Sequence, residues 1–98
     1  MNRHYLKLFI CGMTLTSEQA MANLRQLLRE HPDFDCELVI VDVLERPDVA
    51  EAEGIVATPS LLREVPTPRQ LLVGDLSDVG SVKRLLGIVE NAKEESIQ

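Results

Sequence analysis

Two apolar segments on either side of one helical segment restrict the fold more than any other feature of this sequence. Residues 5–11, YLKLFIC, and residues 36–43, CELVIVDV, are rich in strand-forming side chains. Continuous apolar runs of this kind are typical of strands that are covered on both faces. Between them, apolar residues recur at helical spacing as far as His31. A strand, a helix and a strand in this order form a right-handed unit with parallel strands, so we expect an α/β protein.

Local signals predict where the first two helices begin and end. Thr16 and Gln19 have the spacing of a capping box, which predicts that the first helix begins after Thr16. Pro47 suits the first turn of a second, short helix, because its missing amide hydrogen is not needed there. Gly54 suits the end of that helix, where a left-handed residue is common.

The remaining segments predict two strands and a third helix. Residues 60–65, SLLREV, and residues 69–73, RQLLV, have strand character and flank the stiff sequence PTP. A helix is predicted to follow a cap at Ser77 or Asp78 and to continue through Gly87, although glycine is unfavourable inside a helix. The predicted order of elements is therefore βαβαββα.

This order, with a Thr-Pro dipeptide at the start of the third strand, resembles the thioredoxin fold. The resemblance implies a mixed four-stranded sheet in one domain that spans residues 1–98. It also implies that Pro59 is a structural cis-proline beside the loop that forms the active site in thioredoxins. A trans proline at the first residue of a strand is the alternative, and an X-Pro bond tolerates either isomer.

Composition argues against several classes of partner. The formal net charge is −6 and the chain has one tyrosine, two phenylalanines and no tryptophan, so it lacks the basic patch and stacking surfaces of a nucleic-acid-binding protein. No apolar stretch approaches the length that spans a bilayer, and no signal-peptide cleavage site follows the first apolar run. We therefore expect a cytoplasmic protein with no membrane or nucleic-acid partner.

The cysteines give little support for thiol chemistry. Cys11 begins the sequence Cys-Gly-Met-Thr, which is similar to the Cys-Gly-Phe-Ser of monothiol glutaredoxins but has no second cysteine three residues on. Cys11 ends a predicted strand and Cys36 begins the neighbouring one, about 20 Å away, so a disulfide is not expected. Neither cysteine has a metal-ligand spacing with His4 or His31. We predict no metal, cofactor or catalytic residue, with a Cys11-dependent redox protein as the alternative.

A more specific resemblance extends over most of the chain. The segments that carry it are LKLFICG (6–12), ELVIVDVLERPDVAE (37–51), IVATPSLL (55–62) and VPTPRQLLVGDLS (65–77). They are similar to segments of the KaiB family of circadian clock proteins, such as LKLYVAGNT, ILATPTL and PPPxRRIIGDLS.

The resemblance implies protein association rather than catalysis. KaiB-like proteins bind the ring-shaped ATPase KaiC and, from that complex, sequester the activator KaiA. The family also implies fold switching between a tetrameric βαββααβ ground state and a monomeric thioredoxin-like state that binds partners. Two packings of one sequence need differ by only a few kcal/mol, so the second half of the chain decides which arrangement dominates.

The second half of this chain departs from the usual KaiB pattern. PTPRQLLVGD stands where the family has PPPxRRIIGD, and CGMT stands where it has AGNT. The segment PTPRQ is similar to the sensor domain of the clock histidine kinase SasA, which is thioredoxin-like without switching. We therefore expect a thioredoxin-like monomer as the dominant state and the tetramer as its alternative. A stand-alone module that docks on a kinase, or a changed ATPase partner, is the functional alternative.

Five residues are candidates for partner binding. The second strand is an edge strand in the thioredoxin-like order and is expected to present Leu38, Ile40 and Asp42 to another chain. Core burial is the alternative for Leu38 and Ile40. Lys7 and Arg69 are further candidates, and solvated surface charge is the alternative for both.

Overall fold

The computed structural model describes residues 3–89. Four strands and three helices follow one another in the order βαβαββα, as predicted, and not in the order βαββααβ. The elements are β1 (His4–Ile10), α1 (Leu15–Glu30), β2 (Cys36–Asp42), α2 (Pro47–Glu53), β3 (Ser60–Val65), β4 (Gln70–Val73) and α3 (Val79–Leu86).

The four strands form one mixed sheet in the order β2-β1-β3-β4. β1 and β2 are parallel and in register from His4 opposite Cys36 to Ile10 opposite Asp42. β3 is antiparallel to both β1 and β4, with Ser60 opposite both Phe9 and Val73. β2 and β4 are therefore the edge strands, and the predicted edge position of the second strand is confirmed.

Each face of the sheet has its own apolar cluster. Alternate residues of β1 point to opposite faces, so Leu6, Leu8 and Ile10 pack with α1 and α3, whereas Phe9 packs under α2 with Val41, Ala50 and Leu62. The larger cluster contains Leu6, Leu8, Ile10, Ala20, Met21, Leu24, Leu27, Leu61, Leu76, Val82, Leu85 and Leu86. The α2 face is covered by only seven helical residues, so part of the sheet on that side stays exposed.

Two predicted helix boundaries are wrong. α1 is capped by Thr14, not Thr16: the Thr14 hydroxyl oxygen accepts a hydrogen bond from the Ser17 amide at 3.1 Å. Thr14 and Thr16 offer the same type of cap, and the position at which β1 ends selects the earlier one. α3 ends at Gly87, which has a φ of 76° and closes the helix as its C-cap instead of continuing it. The predicted ends of α2 at Pro47 and Gly54 are confirmed.

Three X-Pro peptide bonds in the second half of the chain are cis. They precede Pro59, Pro66 and Pro68. Pro59 is buried at the start of β3, and its carbonyl accepts a hydrogen bond from the Gly74 amide at 2.9 Å. Pro59 thus adopts the isomer that the thioredoxin resemblance implies.

The buried side chain of Arg63 connects elements of the second half of the chain through hydrogen bonds. Its side chain lies on the α3 face of β3 and is only 9% exposed. One terminal nitrogen donates to the Leu85 carbonyl at 2.7 Å and the other to the Pro68 carbonyl at 2.6 Å. The guanidinium thereby satisfies a carbonyl at the C-terminal end of α3, where the helix dipole favours a positive charge.

Candidate partner-binding surface

The free edge of β2 presents backbone groups together with two exposed side chains. Glu37 and Val39 are exposed, whereas Leu38 and Ile40 are half-buried and pack against the larger apolar cluster. The structure therefore places Leu38 and Ile40 toward the core, and Val39 is the apolar side chain that this edge offers to a partner. An edge strand leaves one row of N–H and C=O groups without partners in its own sheet.

Asp42 holds the loops at the end of the β1–β2 pair. One of its carboxylate oxygens accepts hydrogen bonds from the Gly12 amide at 3.1 Å and the Leu44 amide at 3.0 Å. Gly12 has a φ of 68°, and a side chain there would approach Leu44 to 3.3 Å. The Asp42 carboxylate is thus engaged inside the protein, where it holds the loops around it.

Lys7 and Arg69 meet at one acidic residue, Glu53, at the C-terminal end of α2. The Lys7 ammonium donates to Glu53 at 2.9 Å and to Glu64 at 3.2 Å. Arg69 donates to the Glu53 carboxylate at 3.2 Å and also to the Glu53 backbone carbonyl. The structure brings these two predicted site residues into one network, which joins β1, α2, β3 and the residue before β4.

The ion pairs of this network shift two protonation equilibria. The hydrogen bond from Lys7 lowers the pKa of the Glu53 carboxyl, and the same bond to Glu53 raises the pKa of Lys7. Both side chains are therefore held in their charged forms at neutral pH. Because the network is partly exposed to solvent, its ion pairs are screened by salt and each contributes modestly to stability.

Both cysteines are free thiols. Burial raises the pKa of the Cys36 thiol and so disfavours its reactive thiolate form. Cys11 lies in the β1–α1 loop, before the Thr14 cap, and not in the first turn of α1. This placement differs from that of a cysteine activated by a helix N-terminus.

Four large apolar side chains are exposed where three loops meet. Because Ile10 lies opposite Asp42 and Phe9 lies opposite Ser60, the loops 11–14, 43–46 and 54–59 all lie at the carboxyl end of the parallel strands. Exposed apolar groups gathered at one end of a sheet often mark an interaction site. The exposed side chains in or beside these loops are Met13 at 64%, Leu15 at 72%, Leu44 at 68% and Val56 at 93% exposure.

A groove of about 490 Å³ runs between α2 and the loop that follows it. We call it the α2 groove. It is lined by Val43, Pro47, Ala50, Glu51, Ile55, Val56, Ala57 and Thr58. Sequence reasoning missed this groove and the apolar loops. The available signal was the presence of large apolar residues inside the segments GMTL, VLER and GIVA, where turns and loops usually carry polar side chains.

Neither a metal site nor a membrane segment is found in the part of the chain that the structure describes. Within residues 3–89, no three His, Cys, Asp or Glu side chains come together in a way that could hold a metal ion. The helices of that range are also too short or too polar to cross a membrane.

Comparison with known proteins identifies the family. A family model described as the KaiB domain matches residues 7–88. The chain belongs to the KaiB family. Circadian clock protein KaiB3 of Synechocystis sp. (strain ATCC 27184 / PCC 6803 / Kazusa) is 41% identical over 88 residues, which are 90% of this chain and 84% of that protein. Circadian clock oscillator protein KaiB of Microcystis aeruginosa (strain NIES-843 / IAM M-2473) is 39% identical over 75 residues, 76% of this chain and 72% of that KaiB.

Solved structures confirm the fold of this KaiB-family chain. The N-terminal domain of Synechococcus elongatus SasA is similar with a TM-score of 0.73 and 21% identity, over 100% of this chain and 91% of that domain. Oxidised mitochondrial thioredoxin 3 of Saccharomyces cerevisiae has a TM-score of 0.72 and 18% identity, over 91% of this chain and 81% of the thioredoxin. At such identities the likeness shows the fold alone, and it confirms the thioredoxin-like prediction.

Proposed function

We propose that this KaiB-family protein is a non-catalytic regulator that binds a KaiC-type ring ATPase through its thioredoxin-like arrangement. The observation that carries the proposal is the KaiB match over residues 7–88, in a chain whose fold already leaves the β2 edge open. The ATPase complex would in turn hold a KaiA-like activator. The proposal places this work in the cytoplasm and requires neither a cofactor nor a metal.

The proposed contact is made along the edge of β2. A partner strand or loop can pair with the free backbone groups of residues 36–42 and cover Val39 beside them. Leu38 and Ile40 support this edge from the core side. Lys7, Arg69 and Asp42 act by holding α2 and the adjacent loops in place.

The proposal includes exchange with the tetrameric βαββααβ state that characterises the family. The thioredoxin-like form would be the binding-competent monomer. The tetramer would store the chain without an available binding surface, so the affinity for the ATPase would depend on the free-energy difference between the two forms.

Binding of an immobilised KaiC-type hexamer tests this function directly. We expect Val39→Asp to weaken binding at least about tenfold, because it places a charge in the covered part of the contact. Val79→Asp is a matched control, because Val79 is similarly exposed but lies on α3. Equal affinities for the two variants would overturn the β2-edge contact, and no binding by the unchanged protein would overturn the ATPase partner.

Three further variants test the residues predicted from the sequence. Lys7→Glu and Asp42→Lys are expected to weaken binding, and circular dichroism must show that each variant remains folded, since each also breaks internal hydrogen bonds. Cys11→Ser is expected to bind like the unchanged protein. Loss of function in Cys11→Ser would favour the redox alternative, whereas binding to a histidine kinase but not to the ATPase would favour the kinase-docking alternative.

A further inference from the structure

We propose that the α2 groove is a second docking site, which takes an apolar side chain of a protein segment that carries lysine or arginine beside it. This site is separate from the β2 edge, and it does not depend on a KaiC-type ATPase being the partner there. Its size, its apolar lining and the charge around it support the proposal.

The shape of the groove suits one inserted side chain. Ala50 belongs to the apolar cluster under α2, and Val43 and Ile55 pack against the same cluster. Pro47 contributes the wall at the start of α2. The volume of about 490 Å³ is within the range of pockets that bind small ligands, so the groove has room for an apolar side chain of leucine size. A bound apolar side chain would therefore extend the existing cluster outward.

The loop 54–59 forms the opposite wall and is held in place by its own contacts. The Ile55 amide donates to the Ala50 carbonyl at 2.9 Å, and the Ser60 hydroxyl donates to the Ala57 carbonyl. With Ile55 turned toward the cluster, Val56 is left 93% exposed on the wall. Because hydrogen bonds fix this loop, the Val56 side chain can be removed from water only by a molecule that binds next to it.

The charge around the groove favours a basic partner. Glu51 lies on the rim, and Glu45 is in the loop that leads to α2. Within residues 3–89 neither glutamate forms an ion pair. Arg46 is the only basic residue in the three loops at this end, and Asp48 neutralises it through contacts of 3.1 and 3.2 Å. Lysine or arginine beside the inserted side chain would thus meet uncompensated negative charge.

Two short peptides test the site by NMR titration of the labelled protein. Acetyl-Arg-Leu-Arg-amide is expected to shift the signals of residues 43, 50 and 55–58 in a saturable way at millimolar concentrations. It should bind about five- to tenfold more tightly than acetyl-Glu-Leu-Glu-amide, because the two peptides differ only in the charge next to leucine. Glu51→Lys should reduce the difference in affinity between the two peptides or make the acidic peptide bind more tightly.

Variants on the wall separate groove binding from general surface contact. Val56→Ser should weaken the basic peptide several-fold, whereas the matched change Val79→Ser on α3 should leave its affinity unchanged. Equal affinity for the two peptides, shifts confined to other residues, or an absence of shifts would overturn the proposal. If Val56→Ser still binds the ATPase normally, the groove and the β2 edge are independent, so either proposal can fail without the other.

Discussion

At the level of single residues, the buried guanidinium of Arg63 connects β3, the PTP loop and the end of α3. Among the described residues it has no carboxylate partner, and its inner nitrogen Nε makes no hydrogen bond. A charged hydrogen bond to a buried carbonyl stabilises a fold more than a neutral one. Loss of Arg63 would remove both hydrogen bonds, deprive the buried Leu85 carbonyl of this donor and leave a cavity beside it.

We therefore expect Arg63→Ala to lower the free energy of unfolding by about 2–4 kcal/mol. Arg63→Lys should fall between Arg63→Ala and the unchanged protein, since a single ammonium does not reproduce the fork of two donors. Arg25→Ala, on the exposed side of α1, is the control and should change stability by less than about 0.5 kcal/mol. Urea unfolding followed by circular dichroism measures all three, and equal stability of the two alanine variants would contradict this role.

The network around Glu53 predicts a specific dependence of stability on pH. Because the folded state lowers the pKa of Glu53, the stabilisation is present above the ordinary glutamate pKa and is lost as the pH falls through the lowered value. We expect Glu53→Gln to melt below the unchanged protein at about pH 7 and the difference to shrink toward about pH 3. Glu51→Gln, in the same helix but without an ion pair, is the control.

Melting temperatures measured across this pH range separate the two variants. If the difference in melting temperature between Glu53→Gln and the unchanged protein stays constant down to about pH 3, the carboxylate contributes through packing and not through charge. Lys7 adds a second, alkaline limit: its raised pKa means that its contribution is complete below the ordinary lysine pKa and is lost as the pH rises through the higher value.

At the level of elements, the start of α1 shows how two equivalent local signals are resolved. Thr14 and Thr16 both precede the helical pattern, but only the Thr14 hydroxyl accepts a hydrogen bond from a first-turn amide, that of Ser17. We expect Thr14→Ala to lower the free energy of unfolding by about 1 kcal/mol and Thr16→Ala to have little effect. Thermal unfolding of the pair tests the boundary, and the opposite ranking would place the cap at Thr16.

The cap of α3 gives a similar prediction for the second half of the chain. Asp78 accepts hydrogen bonds from the Ser81 amide at 3.3 Å and the Ser81 hydroxyl at 2.8 Å, and these bonds lower the pKa of Asp78. Asp78→Ala should therefore destabilise α3 and increase hydrogen exchange in residues 79–86. Exchange in α1 provides the internal control, and an equal increase in both helices would indicate global destabilisation instead.

At the level of the whole molecule, the order of elements follows from the sequence because it rests on local patterns. The edge position of β2 follows from the resemblance of that order to the thioredoxin fold. Apolar runs, the Pro47 and Gly54 signals and the Thr-Pro dipeptide all act locally and agree with one another. The start of α1 at Thr14 and the end of α3 at Gly87 depend on the path of the neighbouring segments. A local sequence pattern carries no information about that path. For the same reason, the local pattern predicts that α3 continues through Gly87, whereas Gly87 is the residue that ends it.

The candidate sites were less predictable than the fold. The ion-pair network is an example, because Lys7 is far in the sequence from Glu53, Glu64 and Arg69. The packing of α2 on the sheet brings these side chains together. The α2 groove is formed by α2 and the loops 43–46 and 54–59, whose positions are a consequence of strand register. In contrast, the identity of the family follows from contiguous segments of sequence, so it was available before the structure.

The most direct test of the proposed function is an assigned NMR spectrum of the labelled protein, recorded alone and then with a KaiC-type ATPase. We predict strand-like carbon shifts for residues 60–65 and 70–73 in the free protein, and selective loss of signals along β2 when the ATPase is added. Helical shifts in residues 60–73 would contradict the thioredoxin-like ground state. An unchanged spectrum in the presence of the ATPase would contradict its role as the partner.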